Sequence, residues 1–256
     1  MTAQTRQGIV YAVGDIHGRD DLLRSMLDLI QSDASQHAPE GGERPMVVFL
    51  GDYIDRGGQS RQVIDTLLDF SATPAFESRF LLGNHEEAML DFLEERSSGI
   101  GWGKHGGTAT LRSYGVAPPP MNMPEPWAAA RTALAQALPR QHLDFLSRLE
   151  PFITVNHIVF VHAGLRPGVD LDAQSLRDLL WIRSEFLETD QDDSRLIVHG
   201  HTPGEAVYGA PGRLCLDSGA YMSGRLSGAA FLGHDVRILE ATARGGKVQP
   251  YTLYAG

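Results

Sequence analysis

The residues best able to do chemistry in this chain recur at one kind of place, directly after a short apolar run. GIVYAV leads into GDIHG with Asp15 and His17, and MVVFL leads into GDYIDRG with Asp52, Asp55 and Arg56. RFLL runs into GNHE with Asn84 and His85, FVHAG ends on His162, and LIVHGH ends on His201. Carboxylate, imidazole and amide oxygen together suit a borderline divalent cation such as manganese, iron or zinc. No thiolate is offered, which excludes a cysteine-rich structural zinc site. Glycines beside the ligand types let the backbone turn sharply and come close to an ion. A single histidine after a strand is usually structural. Five loops carrying ligand types in one register make a two-metal site the better reading.

These loops must be positioned by the elements around them. Residues 8–13 read as a buried strand, and Leu22, Leu23, Met26, Leu27 and Ile30 then share one face at helical spacing. The unit repeats as a strand over 46–50 with a helix from Ser60, and a strand over 79–82 with a helix from Glu86. Strands alternating with helices imply βαβ units and parallel pairing in part of a sheet. Ligands of such sheets sit beyond the carboxyl ends of the strands, where these polar loops lie. Residues 117–126 hold five prolines in ten positions and break regular structure, and helical patterns follow from Trp127. Residues 97–150 therefore read as a helical excursion, either a lid or a packing unit. The rest is β-rich, with a hairpin turn at Gly233–His234–Asp235. The fold class is α/β, bordering on α+β: two packed sheets flanked by helices, in a single domain over 1–256.

The formal net charge of -10 argues against a nucleic-acid or anionic-membrane partner. It leaves room for a phosphate, because a bound metal inverts the local field. The single cysteine, Cys215, fits a reducing compartment. No run approaches a membrane helix, and the N-terminus lacks a signal-peptide core, so a cytoplasmic protein is expected.

GDIHG, GDYIDRG, GNHE and HAG, in this order and at these separations, closely resemble the phosphoprotein phosphatase family of metallophosphoesterases, in particular its bacterial and phage-type members. The motifs span residues 14–202. The resemblance implies the calcineurin-like metallophosphoesterase fold and two divalent ions, manganese first, with iron or zinc as alternatives. It implies that Asp15 and His17 bind the first ion, that Asp52 bridges both, and that Asn84, His162 and His201 bind the second. His85 becomes the general acid and Asp55 its orienting carboxylate. Arg56 becomes the phosphate clamp, with Arg183 in LLWIRSEF a looser candidate for a second. Two ions about 3.5–4 Å apart lower the pKa of a bridging water so that hydroxide attacks phosphorus in line. The substrate first expected is a phosphoserine, phosphothreonine or phosphotyrosine protein or peptide. The alternative is a symmetrical dinucleoside polyphosphate. A non-catalytic phosphate binder ranks last, because every ligand position is filled.

Other residues are read more plainly. Cys215 is a core thiol, since a cysteine-dependent phosphatase loop needs arginine where Tyr221 stands. His199 is structural and His157 lies in an exposed turn. Trp102, Lys104 and His105 are candidates for a site border, and Tyr221 for a place near the site. The acidic run 188–194 is a solvated loop.

Overall fold

The computed structural model describes residues 6–38, 41–190 and 195–253. Three strand–loop–helix units open the chain: β1 (Val10–Val13) and α1 (Asp20–His37), β2 (Met46–Phe49) and α2 (Ser60–Ser71), β3 (Glu77–Phe80) and α3 (Asn84–Leu93). β3 lies two residues earlier than the apolar run suggests, because Glu77 pairs with Met46 in the parallel register of β2. α3 also starts earlier, at Asn84, so two of the site residues belong to a helical first turn and not to a loop.

The excursion follows as expected: α4 (Ile100–Trp102), a turn over Gly103–Gly107 kinked at Gly106, α5 (Thr108–Ser113), α6 (Glu125–Ala137) and α7 (Arg140–Leu146). α6 accommodates Pro126 in its first turn, where a missing N–H costs nothing. The second half supplies β4 (Phe152–Val155), β5 (Ile158–Val161), α8 (Leu176–Trp181), α9 (Ser184–Leu187), β6 (Leu196–His199), β7 (Tyr208–Ala210), β8 (Arg213–Cys215) and α10 (Ala220–Ser223). A meander of β9 (Arg225–Leu232), β10 (Asp235–Thr242) and β11 (Gly245–Tyr251) completes it, with Gly233 and His234 in the expected turn.

Two mixed sheets result, ordered β11-β10-β9-β1-β2-β3 and β4-β5-β6-β8-β7. β1, β2 and β3 run parallel, as do β5, β6 and β8. The period-two alternation of a strand separates the cores. Val10, Ala12 and Val48 face Ile153, Phe160 and Val198 between the sheets. Tyr11, Val13, Val47 and Phe49 face the helices on the other side. Leu179, Ile182 and Phe186 cover the far face of the second sheet. The layers run helix, sheet, sheet, helix.

The excursion is a packing unit for most of its length. Leu111, Trp127, Leu134 and Leu146 are buried in the same core as α1 and α2. Buried His142 on α7 ties it down, 2.8 Å from the Tyr114 hydroxyl through Nδ1 and 2.9 Å from Asp65 on α2 through Nε2. Among the described residues, no helix is long and apolar enough to cross a membrane. Glu188, Thr189 and Asp190 of the acidic run are exposed, and 191–194 lie outside the described residues.

Away from the site, Asp33 on α1 is buried under the meander. It accepts from Arg237 at 2.7 and 3.1 Å and from the Tyr11 hydroxyl at 2.7 Å. Burial pushes this carboxyl up, and the Arg237 and Tyr11 hydrogen bonds outweigh it, leaving it below its usual range. A depressed folded value stabilises the protein above the unfolded pKa, and this is lost as pH falls through the folded value. Asp33→Asn should therefore cost about 1–3 kcal/mol near neutral pH. In urea titrations the gap to wild type should shrink as pH drops below about 4. A gap that stays constant with pH would rule out the charged contact as its source.

Candidate metal centre

The site forms where the loops after β1, β2, β5 and β6 and the first turn of α3 meet. The first two loops are laced together: Ile16 N and His17 N donate to the Asp52 carbonyl at 3.0 and 2.8 Å, and Gly18 N to the Tyr53 carbonyl at 2.8 Å. Glu86 on α3 fixes the second loop, its buried carboxylate accepting from the backbone N–H groups of Gly83, Asp52, Tyr53 and Ile54 at 2.8–3.2 Å. The packing is tight enough to force unusual backbone. His17, Asp52, Asp55, Arg56 and His201 all have φ between 47° and 72°, a left-handed conformation that costs about 1–3 kcal/mol each outside glycine. Gly83 is required for the same reason, since a Cβ there would sit on the Asp52 carboxylate.

Asp52 lies at the middle, nearly fully buried. Its carboxylate is 3.4 Å from His17 Nε2, 3.4 Å from His162 Nε2 and 3.9 Å from His85 Nε2. Asn84 Oδ1 lies 2.9 Å from both His162 Nε2 and His201 Nδ1. Two groups of side chains can each hold an ion: His17, Asp52 and His85, and Asp52, His162 and His201. Asp15 stands slightly apart from both, its carboxylate accepting the His201 N–H at 3.1 and 3.2 Å.

The protonation pattern fits cations. His17 Nδ1 donates to the Ile54 carbonyl at 2.9 Å and His162 Nδ1 to the Leu50 carbonyl at 2.8 Å. Each Nε2 then carries a lone pair. Burial depresses His17 to about 3 and His201 to about 2, and lowers His162, so these rings are neutral at neutral pH. Burial opposes the charge on Asp52, and positive charge facing it, which at neutral pH the protonated His85 supplies among these rings, outweighs burial, so Asp52 stays ionised. Lone pairs of His17 and His162 thus point at a carboxylate, and that of His162 also at an amide oxygen. Acceptors facing acceptors in a buried space call for positive charge between them.

The remaining expected residues gather round this centre. His85 Nδ1 is 2.6 Å from Asp55 Oδ2, and its Nε2 is 3.2 Å from Arg56. Burial pulls His85 down, but Asp52 and Asp55 outweigh it and push the imidazole up to about 9. Asp52 gives up part of that push when it binds cations. Arg56 lies over the Tyr221 ring at 4.7 Å, and Tyr221 is 5.4 Å from His17, so Tyr221 does border the site. Exposed Arg183 donates to the His201 carbonyl at 3.2 Å and to Thr202 Oγ1 at 3.0 Å, beside the second ion group.

The candidates outside the centre divide. Trp102 is buried, donating to Asp55, whereas Lys104 and His105 are exposed. Cys215 and His199 are buried and His157 is exposed, each as read from the sequence.

Sequence reasoning missed Glu86, Thr110 and Asp217. Asp217 is buried beyond β8 and pushed up to about 6 by burial, and it adds to the burial that raises Asp15. It carries the same signal as Asp15, a carboxylate just past a strand with a glycine nearby. Thr110 carries no such signal, since it comes from the excursion.

The sequence profile described as Calcineurin-like phosphoesterase matches residues 9–237. A bis(5'-nucleosyl)-tetraphosphatase PrpE [asymmetrical] from Anoxybacillus flavithermus is 25% identical over 84% of this chain and 87% of its own length. A symmetrical bis(5'-nucleosyl)-tetraphosphatase from Paracidovorax citrulli is 30% identical over 64% of this chain, which spans about half (47%) of that relative. One further curated relative, from Caenorhabditis elegans, is spanned over 34% of its length. Among solved structures, a cold-active protein-tyrosine phosphatase from a psychrophilic Shewanella superposes with a TM-score of 0.63 at 17% identity, over 98% of this chain and 83% of that one. That likeness shows the fold.

Loaded with manganese and desalted, the protein should retain two ions per chain by elemental mass spectrometry. Asn84→Ala or His201→Ala should retain one, and Asp52→Ala neither. Full retention by Asp52→Ala would remove that carboxylate from the centre.

Proposed function

The chain belongs to the calcineurin-like phosphoesterase family, and we propose that it hydrolyses the phosphoanhydride chain of dinucleoside tetraphosphates at a two-metal centre. The observation that carries this substrate class is the match to two proteins named as asymmetrical PrpE tetraphosphatases across 84% and 86% of the chain. These names reverse the order drawn from the sequence, where a phosphoprotein substrate stood first.

Asp15, His17 and Asp52 would hold one ion, and Asp52, Asn84, His162 and His201 the other, with manganese the proposed metal. When bound, such a pair lowers the pKa of water and neutralises phosphate charge. The protein's own groups do the rest. Arg56 and Arg183 hold the phosphate oxygens. His85 stands with Nε2 towards the phosphate and hands its proton to the leaving oxygen as the bond to phosphorus breaks. Asp55 keeps Nδ1 of the same ring in place. Overall, one water adds across one P–O–P bond.

A second reading, hydrolysis of phosphoserine, phosphothreonine or phosphotyrosine in peptides, is favoured by the buried Asp55–His85 pair. An alkoxide is a poor leaving group and depends on a strong proton donor. A released nucleotide phosphate depends on one far less.

Initial rates of manganese-reloaded protein on diadenosine tetraphosphate and on phosphoserine, phosphothreonine and phosphotyrosine peptides separate these readings. The dinucleotide should be cut fastest, giving ATP plus AMP if the cut is asymmetrical and ADP alone if symmetrical. Faster release of phosphate from any peptide would restore the protein phosphatase reading. His85→Asn should keep its metal and lose about 10²–10⁴ in kcat on a phosphoserine peptide. It should lose less on the dinucleotide. Undiminished turnover of the peptide would exclude His85 as the acid.

A further inference from the structure

Asp55 is completely buried, and both of its oxygens are occupied by groups from outside its own loop. Oδ2 accepts the indole N–H of Trp102 at 2.7 Å while facing His85 Nδ1 at 2.6 Å. Oδ1 accepts the Thr110 hydroxyl at 2.6 Å. The Asp55 backbone N–H lies 3.0 Å from both Ser60 Oγ and Thr110 Oγ1, and these two hydroxyls are 2.9 Å apart. Counting protons fixes the directions. Thr110 gives its only proton to Asp55, so Ser60 must donate to Thr110 and both hydroxyl oxygens accept from Asp55 N–H.

Trp102 and Thr110 both belong to the helical excursion, not to the strand-end loops. The kinked turn between them closes directly on the second loop. Arg56 N donates to the Gly106 carbonyl at 3.3 Å, and with Gly106 at φ 119° a Cβ there would collide with the Arg56 backbone. A Cβ on Gly107 would strike the Trp102 indole, and the Phe92 ring packs against it with centroids 5.3 Å apart. The indole therefore has little freedom to turn its N–H elsewhere.

We infer that Trp102 and Thr110 are positioning residues for the reaction: they lock the Asp55 carboxylate plane, and through it the His85 ring, so that Nε2 presents its proton to the leaving oxygen. This rests on the reading of His85 as the general acid. An indole N–H is a donor only, so the Oδ2 that it occupies keeps one acceptor direction, and His85 Nδ1–H fills it. The carboxylate cannot rotate without breaking hydrogen bonds at two opposite corners. Both residues are buried, and their hydrogen bonds to the pair run through Asp55. The excursion thus contributes to the chemistry as well as to packing.

The test uses manganese-loaded protein with phenyl phosphate, a poor leaving group, and 2,4-dinitrophenyl phosphate, which leaves without protonation. Trp102→Phe keeps the packed ring and removes the N–H. Its kcat on phenyl phosphate should fall about tenfold, a fraction of what a general acid supplies. Its kcat on the dinitrophenyl ester, both KM values and the metal content should stay at wild-type level. Thr110→Val should show the same selective loss, and Thr110→Ser should restore the rate. Equal losses on the two esters, or none on phenyl phosphate, would overturn the inference. His85→Asn serves as the reference. If it loses both esters equally, the acid reading itself fails. If it is selective and the Trp102 and Thr110 variants are not, only the present inference falls. A readout without turnover completes the test: in ¹H–¹⁵N spectra of metal-free protein, the indole signal missing from Trp102→Phe should move upfield and exchange faster in Asp55→Asn. An unmoved signal would overturn the contact.

Discussion

A buried carboxylate faced by imidazole lone pairs needs positive charge beside it, and the rest of the site is arranged around that need. Asp52 is 2% exposed, and the lone pairs of His17 and His162 face it from 3.4 Å. Most of the local structure exists to hold that cluster together. Five residues of the site take left-handed backbone, and a glycine stands where any Cβ would strike the Asp52 carboxylate. Glu86 collects four backbone N–H groups to keep the second loop against α3. Strain of this kind persists only where the surroundings over-determine it.

The two sheets explain how the cluster can be rigid. Parallel strands deliver their loops to one end: β1, β2 and β3 run parallel along one side of the first sheet, and β5, β6 and β8 through the middle of the second. The first sheet brings Asp15, His17, Asp52, Asp55 and Arg56, and the second brings His162 and His201. The interface between them is filled by side chains such as Val48 and Phe160, so the two halves of the centre sit on one packed core. Asn84 joins them from the start of α3, its amide oxygen 2.9 Å from both second-sheet histidines.

Division of labour between charge and orientation separates the two sides of the centre. On one side neutral imidazoles face the Asp52 carboxylate. On the other, His85 is tied to Asp55 and lies against Arg56, the pair proposed as proton donor and phosphate clamp. The helical excursion enters on this second side. Its far end is ordinary core, with Trp127 and Leu134 buried beside α1 and α2, and its near end reaches the acid pair.

The candidate ligand types and their order were legible in the chain itself. A polar residue beside a glycine directly after an apolar run is a local pattern, and Asp15, His17, Asp52, Asn84, His162 and His201 all carry it. The strand–helix alternation was local too, which is why the first three units fall within a few residues of expectation. Tertiary structure alone decided the rest. That α3 begins at Asn84 depends on Glu86 capping back onto Gly83 while reaching across to the second loop. That Trp102 and Thr110 hold Asp55 depends on contacts 47 and 55 residues apart in the chain. Asp15 leans towards His201 across 186 positions. Periodicity and motif spacing report on neighbours within a turn or a strand. Such long-range hydrogen bonds exist only once two sheets and an inserted helical segment have packed into register.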